Sequence, residues 1–215
     1  MEKAAAQHAY GQPSSPITDR DRLQGRGHDV LMQALLLMDM QNAIVDHYVT
    51  EDGYLDRVVA AQQRAEDAGI LVLLIRVGFG PGHPEISASN KTFAAIKASG
   101  GMLFGHPAVE PHARLLRGKG EIVITKKRIS AFSGSDLELV LRSNNVTGLV
   151  LGGIATSGVV LSTVRAAADR DYQLTVLEDL CLDDDEEVHR VLTQKVFPRQ
   201  AEVMTAADWH PHQAS

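Results

Sequence analysis

The chain has 215 residues, of which 44% are hydrophobic and 22% charged, so length and composition suit one globular domain. Its 21 basic and 27 acidic side chains give a formal net charge of −6, which leaves no positive field to hold a nucleic acid backbone. The single cysteine excludes an internal disulfide and a cysteine-rich metal site, and the apolar runs, such as 34–38, are too short to cross a membrane.

The two ends of the chain differ in composition from the part between them. Residues 1–29 mix Gln, Gly, Pro, Ser and charged residues without apolar periodicity, which is typical of a flexible arm. No apolar segment of a secretion signal occurs there, and a lone cysteine gives no reason for an oxidising compartment. We therefore expect a cytoplasmic protein with an arm over 1–29, one domain over 30–209 and a tail over 210–215.

Short apolar runs alternate with amphipathic stretches after the arm, which is the pattern of βαβ units around a parallel sheet. The segment 78–119 is rich in Gly and Pro, and we expect so long a loop to cover a site. The six predicted strands imply a doubly wound α/β fold. They are 34–38, 70–77, 121–125, 149–151, 173–177 and 201–204, with helices at 55–68, 92–98, 136–142, 158–169 and 184–197.

Ligands of an open parallel sheet lie outside the carboxyl ends of its strands, so the residues that follow each strand are the candidates. Asp39 follows the first strand, where it is either a site carboxylate or a turn residue. Gln41 either hydrogen-bonds that carboxylate or fixes the turn. The basic run 126–128 follows the third strand and either turns one cation into the same cleft or forms a solvated turn.

The stretch 152–158 after the fourth strand holds small and β-branched residues that lead into a helix. Such a turn aims backbone N–H groups at the cleft and forms an anion or oxyanion site, unless it is only a tight connection. Ser157 suits a cap or a ligand hydrogen bond there. In the covering segment, Phe79 is a candidate pocket wall, and Arg76, just before it, is a candidate anion partner.

Three of these stretches together resemble the isochorismatase-like hydrolases: MDMQ after the first strand, TKKRISAFSGSDL after the third and GGIATSGVVLSTVRAAADRDY after the fourth. The resemblance runs from about 34 to 208 and implies a three-layer α/β/α sandwich with a six-stranded parallel sheet. Cysteine-hydrolase members use an Asp, a Lys and a Cys beside a non-proline cis peptide. By motif these features fall on Asp39, on Lys126 and on the bond between Ile154 and Ala155.

The third catalytic position departs from that pattern. Gly153, Thr156 and Val160 fit the family turn, but Val159 stands where the nucleophilic cysteine belongs. A valine cannot form a thioester, so the resemblance favours the isochorismatase branch, in which a carboxylic acid protonates a vinyl ether. Cys181 has four acidic neighbours in sequence, which raise a thiol pKa, and we interpret it as a buried structural residue.

The sequence therefore predicts a hydrolase of a small organic molecule that uses Asp39 and Lys126, with Val159 at the nucleophile position. The predicted substrate contacts are Gln41, Arg76, Phe79, Ile154, Ala155, Thr156, Ser157 and Gly158. We expect no metal, because the nine histidines are scattered, and no cofactor. The resemblance implies a homo-oligomer, a dimer or a tetramer. Because of Val159, a catalytically silent member that binds or senses a small molecule is the alternative.

Overall fold

A computed structural model describes residues 32–118 and 120–211 of the chain. The predicted arm over 1–29 lies outside these ranges, as do residues 212–215 of the predicted tail.

One sheet of six parallel strands forms the centre of the domain, in the order β3-β2-β1-β4-β5-β6. The chain builds outward from β1 to β3 and then returns to place β4 beside β1, so the strand order reverses between β1 and β4. The strands are β1 (Gln33–Met38), β2 (Leu71–Val77), β3 (Ile122–Lys126), β4 (Gly148–Ile154), β5 (Gln173–Leu182) and β6 (Glu202–Met204).

Helices cover both faces of the sheet, which confirms the predicted α/β/α sandwich. Their apolar side chains pack on the alternating side chains of the strands. They are α1 (Asn42–Tyr48), α2 (Tyr54–Asp67), α3 (Lys91–Ser99), α4 (Leu137–Ser143), α5 (Leu161–Ala168) and α6 (Glu186–Val191), with short 3-10 or π-helical turns at 107–109, 113–115, 156–160, 192–196 and 197–199.

Strand β1 shows why the central runs are apolar throughout. Leu36 and Met38 belong to the core on one face, with α4 and α5, whereas Leu35 and Leu37 belong to the core on the other face, with α1 and α2. A strand that is buried on both faces needs apolar side chains in both alternating sets.

Strands β4 and β5 are both longer than the sequence predicts. In the sequence the glycine pair 152–153 indicates the end of β4, but the strand continues through this pair to Ile154. A Cβ on Gly153 would lie 2.8 Å from the carbonyl oxygen of Met38, so only glycine lets β4 pass the end of β1 this closely. The helix after β4 begins at Leu161 instead of 158, because a π-helical turn over 156–160 comes first.

The segment 78–118 carries α3, two of the 3-10 turns and a small core of its own. Its part near Pro111 pairs with the residues after Asp39: Gln41 and Pro111 form an antiparallel bridge, and His112 donates to the carbonyl of Met40 at 2.9 Å. The segment therefore borders the carboxyl end of β1, as expected of a covering element. Within the described ranges, none of the helices has the length and apolar character that a membrane crossing requires.

Candidate active site

Asp39 and Lys126 form a buried ion pair at the carboxyl edge of the sheet. Asp39 directly follows β1 and Lys126 ends β3, and the lysine Nζ lies 2.9 Å from the aspartate Oδ2. The two residues are only 7% and 2% exposed. The long lysine side chain spans the width of β2, so two residues 87 positions apart in sequence meet at the point where the strand order reverses.

The backbone of Asp39 turns sharply at the end of β1. Its φ is 58°, a left-handed conformation that Asp adopts more readily than most residues, and its N–H donates to the carbonyl of Ile75 at 2.8 Å. The second carboxylate oxygen, Oδ1, is buried and has no hydrogen-bond partner within the described part of the chain. One oxygen is thus held by the lysine, while the other is buried without a hydrogen bond from the described residues.

Burial raises the pKa of the Asp39 carboxyl above its usual value of 3.8, because the charged form loses its hydration. The Lys126 ammonium lowers the same pKa, through its charge and its hydrogen bond, but burial has the larger effect. The carboxyl therefore keeps its proton to a higher pH than an ordinary aspartate. This is the property required of a general acid.

A compact loop after β3 fixes the position of Lys126. Lys127 donates from its backbone to Ser133 at 3.1 Å, and the N–H of Ala131 donates to the hydroxyl of Thr163 on α5 at 3.0 Å. Gly134 closes the loop with a φ of 70°, and a Cβ there would lie 2.7 Å from the Cβ of Lys127. Only glycine combines this backbone angle with so close an approach.

The next two basic residues fasten the covering segment to the sheet. Lys127 donates to the carbonyl of Gly78 at 2.6 Å and lies 3.2 Å from a carboxylate oxygen of Glu85. Arg128 donates to the carbonyl of Glu85 at 2.9 Å. Of the three consecutive cations, one therefore faces Asp39 and two hold the segment in place.

Gln41 is fully buried and bonded to the backbone on two sides. Its amide nitrogen donates to the carbonyls of Val77 at 2.9 Å and Val109 at 2.8 Å, and its amide oxygen accepts from the N–H of Val77 at 2.8 Å. Both amide hydrogens are used. In the structure Gln41 therefore fixes the turn, which is one of the two roles that the sequence leaves open for it.

Two further expected substrate contacts also have structural roles. The Arg76 guanidinium forms an ion pair with Glu110 and donates to the hydroxyl of Thr125 at 3.1 Å, so it is already paired before any anion arrives. Phe79 is fully buried inside the covering segment, where its ring packs 5.7 Å from that of Phe93. It forms the core of that segment and not a pocket wall.

The turn after β4 has a buried part and an accessible part. The peptide bond between Ile154 and Ala155 is cis. Thr156 is fully buried, and its hydroxyl donates to the carbonyl of Leu182 at 3.1 Å and accepts from Nδ1 of His189 at 2.8 Å. Ile154 is also buried, which leaves Ala155, Ser157 and Gly158 as the turn residues that a small molecule can reach.

Val159 lies on the same face of the sheet as the Lys126 side chain. It belongs to a buried cluster that includes Met38, the residue before Asp39, and Ile124, two residues before Lys126. Its side chain is almost fully buried. Val159 therefore belongs to the same apolar core as the strand residues that precede the ion pair.

Cys181 is within β5 and not after the strand as the sequence predicts. It pairs in register with Gly153, it is 2% exposed, and its thiol donates to the carbonyl of Leu177 at 3.4 Å. Burial raises the pKa of the thiol to about 12, so it is protonated at neutral pH. The expected burial of this residue is confirmed.

Sequence reasoning misses two residues at the turn, Asp183 and His189. Oδ2 of Asp183 accepts from the N–H of Ser157 at 2.6 Å, and His189 supports Thr156 as described. The acidic run after the fifth strand was a visible signal, but only the extension of β5 to Leu182 brings it to the turn. In residues 32–118 and 120–211, no three His, Cys, Asp or Glu side chains converge to hold a metal ion.

Comparisons with known proteins agree with this fold. The pattern of the Isochorismatase domain matches residues 33–208. A cysteine hydrolase from Pseudomonas syringae pv. phaseolicola 1448A superposes with a TM-score of 0.75 at 20% identity, over 84% of this chain and 91% of the other. An isochorismatase family protein from Desulfovibrio vulgaris subsp. vulgaris str. Hildenborough gives 0.73 at 23% identity, over 82% and 95%. N-carbamoylsarcosine amidase from Thermoplasma acidophilum gives 0.66 at 22% identity, over 84% and 100%.

Proposed function

Since the chain belongs to the isochorismatase family, we propose that it hydrolyses a small organic molecule by acid–base chemistry at Asp39 and Lys126, without a cysteine nucleophile. The observation that carries the proposal is the buried ion pair with its unpartnered oxygen. Lys126 holds Oδ2 of Asp39 at 2.9 Å, whereas Oδ1 has no partner among the described residues. A carboxyl in this state can exchange a proton with a substrate at a defined atom.

Asp39 takes part in two proton transfers. The raised pKa favours its protonated form, which gives its proton to the double-bond carbon of a vinyl ether, and positive charge develops on the adjacent carbon that bears the ether oxygen. A water molecule adds to that carbon and returns a proton to Asp39, which gives a hemiketal. The C–O bond to the leaving group then breaks, the leaving oxygen takes the hydroxyl proton, and a carbonyl compound and an alcohol are released, so one water is consumed. Lys126 orients the carboxyl and stabilises the carboxylate between the two transfers. Such acid–base catalysis contributes about 100- to 10,000-fold to the rate.

The environment of the two candidate nucleophile positions supports a mechanism without a thiol. Val159, at the position that the family motif gives to cysteine, has no nucleophilic atom. The only thiol, that of Cys181, is buried in β5 and protonated at neutral pH. Thiolate attack requires the opposite, an accessible sulfur with a lowered pKa.

The test is turnover of a panel of vinyl ethers, esters and amides, including N-carbamoylsarcosine, by the wild-type chain and by Asp39→Asn. Asp171→Asn is the matched control, because Asp171 also has a left-handed φ, of 63°, but is exposed at the opposite edge of the sheet. We expect Asp39→Asn to lose at least about 100-fold in kcat and the control to stay within about twofold.

Two results would overturn the proposal. If Asp39→Asn keeps full turnover of a compound that the wild type hydrolyses, the carboxyl is not the acid. If no compound of the panel is hydrolysed by the wild type, the silent binding protein becomes the better interpretation.

A further inference from the structure

We propose that Asp183 binds an ammonium group of the substrate, so that the site selects cationic molecules over carboxylates. The proposal rests on the proposed function in that it takes the turn 155–158 as part of the substrate site. It concerns binding, and not the proton transfer at Asp39.

The first observation is that a carboxylate of the chain already occupies the turn. The N–H of Ser157, which the sequence offers to an anion, donates to Oδ2 of Asp183 at 2.6 Å. A substrate carboxylate would have to displace Asp183 from this N–H and would then lie beside its negative charge. The N–H of Ser157 is therefore not free to bind a substrate anion.

The second observation is that no cation among the described residues balances the negative charge of Asp183. Asp183 is partly exposed, and no Lys, Arg or His of the described ranges forms an ion pair with it. A carboxylate that has one oxygen fixed and no cation partner is a preformed acceptor for an N⁺–H donor, which makes the stronger, charge-assisted type of hydrogen bond. Burial raises the pKa of Tyr48 most, and the hydrogen bond to Asp184 and the negative charges of Asp184 and Asp183 raise it further.

The cations near the site are already engaged within the chain. Lys126 is paired with Asp39, Lys127 with Glu85, and Arg76 with Glu110. Arg128 donates to the backbone carbonyls of the covering segment and of its own loop. None of the four described cations is therefore available to bind a substrate carboxylate without breaking one of these contacts.

The strand register places the two carboxylates at the same edge of the sheet, after the two strands that flank β4. Gly153 of β4 pairs with Met38 of β1 and with Cys181 of β5, and Asp39 and Asp183 follow these partners by one and two residues. Two inter-strand spacings of about 4.8 Å put β1 and β5 roughly 10 Å apart. A small organic molecule spans this distance, with its cationic end at the partly exposed Asp183 and its reacting end at the unpartnered Oδ1 of buried Asp39.

The experiment compares three probes of similar size and different charge: benzylammonium, benzamide and benzoate. Their dissociation constants are measured by calorimetry at neutral pH for the wild-type chain and for Asp183→Asn. The asparagine keeps an acceptor for the N–H of Ser157 and removes only the charge, so the turn remains supported. Asp184→Asn, which removes a charge one position away and keeps an acceptor for the hydroxyl of Tyr48, is the matched control.

We expect the wild type to bind benzylammonium most tightly and benzoate most weakly. Asp183→Asn should weaken benzylammonium binding at least about tenfold, as for loss of a charged hydrogen bond, while the control changes it less than threefold. Benzoate bound as tightly as benzylammonium, absence of benzylammonium binding, or equal losses in both variants would overturn the proposal.

The same titrations with Asp39→Asn separate the two proposals. If the probes show the charge preference and Asp39→Asn keeps the turnover of the wild type, the role of Asp183 holds while the acid–base mechanism fails. Turnover that depends on Asp39, with no charge preference among the probes, leaves the mechanism intact and removes the role of Asp183.

Discussion

Replacing Lys126 by methionine tests the buried ion pair most sharply, because methionine keeps the length of the side chain and removes the charge. The wild-type Nζ contacts Oδ2 of Asp39 at 2.9 Å and the carbonyl of Arg128 at 3.0 Å, in a position that is only 2% exposed. Removal of one partner leaves the carboxylate buried alone. We expect Lys126→Met to lower the free energy of unfolding at neutral pH by about 3–5 kcal/mol, the usual cost of breaking a buried pair.

The cost should shrink as the pH falls. In wild type the ammonium lowers the pKa of Asp39, so its loss raises this pKa further above 3.8, the value for the unfolded chain. Between pH 3.8 and the pKa of Asp39 in the folded variant, the native state binds a proton that the unfolded state does not bind. The stability of the variant therefore decreases as the pH rises through this window. The variant should accordingly lie closer to the wild type at about pH 5 than at neutral pH.

Denaturant unfolding at both pH values measures these differences, with the double variant Lys126→Met/Asp39→Asn as the control. Since the double variant leaves no buried charge, it should recover about 1–3 kcal/mol relative to the sum of the single variants. Strictly additive losses, or a loss for Lys126→Met that is the same at both pH values, would refute the account of the pair.

Three other substitutions test the surroundings of the site. Gly134→Ala should cost about 2–4 kcal/mol of stability, since it adds a left-handed alanine and a close contact, and a change under about 0.5 kcal/mol in denaturant unfolding would contradict this. Gln41→Leu should cost at least about 3 kcal/mol, because three backbone groups lose their partner at about 1–3 kcal/mol each; unchanged unfolding would show that the amide is dispensable. Val159→Cys should change the free energy of unfolding by less than about 1.5 kcal/mol, since a thiol is close in size to the buried side chain that it replaces, and a larger loss in denaturant unfolding would contradict the buried position of residue 159. The wild-type thiol, Cys181, should stay unlabelled by iodoacetamide because burial raises its pKa to about 12, and labelling of the folded chain would contradict this.

The first two strands illustrate what the sequence reveals of the fold. The run over 34–38 is apolar throughout and the run over 70–77 is apolar except for Arg76, so burial on both faces and the parallel sheet are predictable from them. The strand-end rule and the family resemblance together point to Asp39 and Lys126. The 2.9 Å contact between them depends on the order β3-β2-β1, which no local pattern contains.

Strand β5 shows where prediction from the sequence stops. Glu178 and Asp179 interrupt the apolar run, so the sequence predicts that the strand ends at 177, whereas it continues to Leu182. Asp179 is accommodated because its carboxylate accepts the N–H of Ala206 at 2.6 Å, a contact between segments 27 residues apart. The extension carries Asp183 to the turn after β4, and the contact with Ser157 was therefore not predictable.

Internal partners of Gln41, Arg76 and Phe79 were hidden from the sequence for a related reason. Each has a residue type that suits a ligand contact, but the covering segment supplies an internal partner for each of them. Gln41 bonds to Val109, Arg76 pairs with Glu110, and Phe79 packs on Phe93. A sequence shows which groups could bind a substrate and does not show which of them the fold has already satisfied.

The central claim, acid–base hydrolysis at Asp39 without a thiol, is tested most directly by the kcat of two variants on one hydrolysed compound of the panel. Cys181→Ala removes the only thiol in the chain, and Asp39→Asn removes the proposed acid. We predict that Cys181→Ala keeps kcat within about threefold of wild type, whereas Asp39→Asn loses at least about 100-fold. An inactive Cys181→Ala that remains folded, together with an active Asp39→Asn, would contradict the claim.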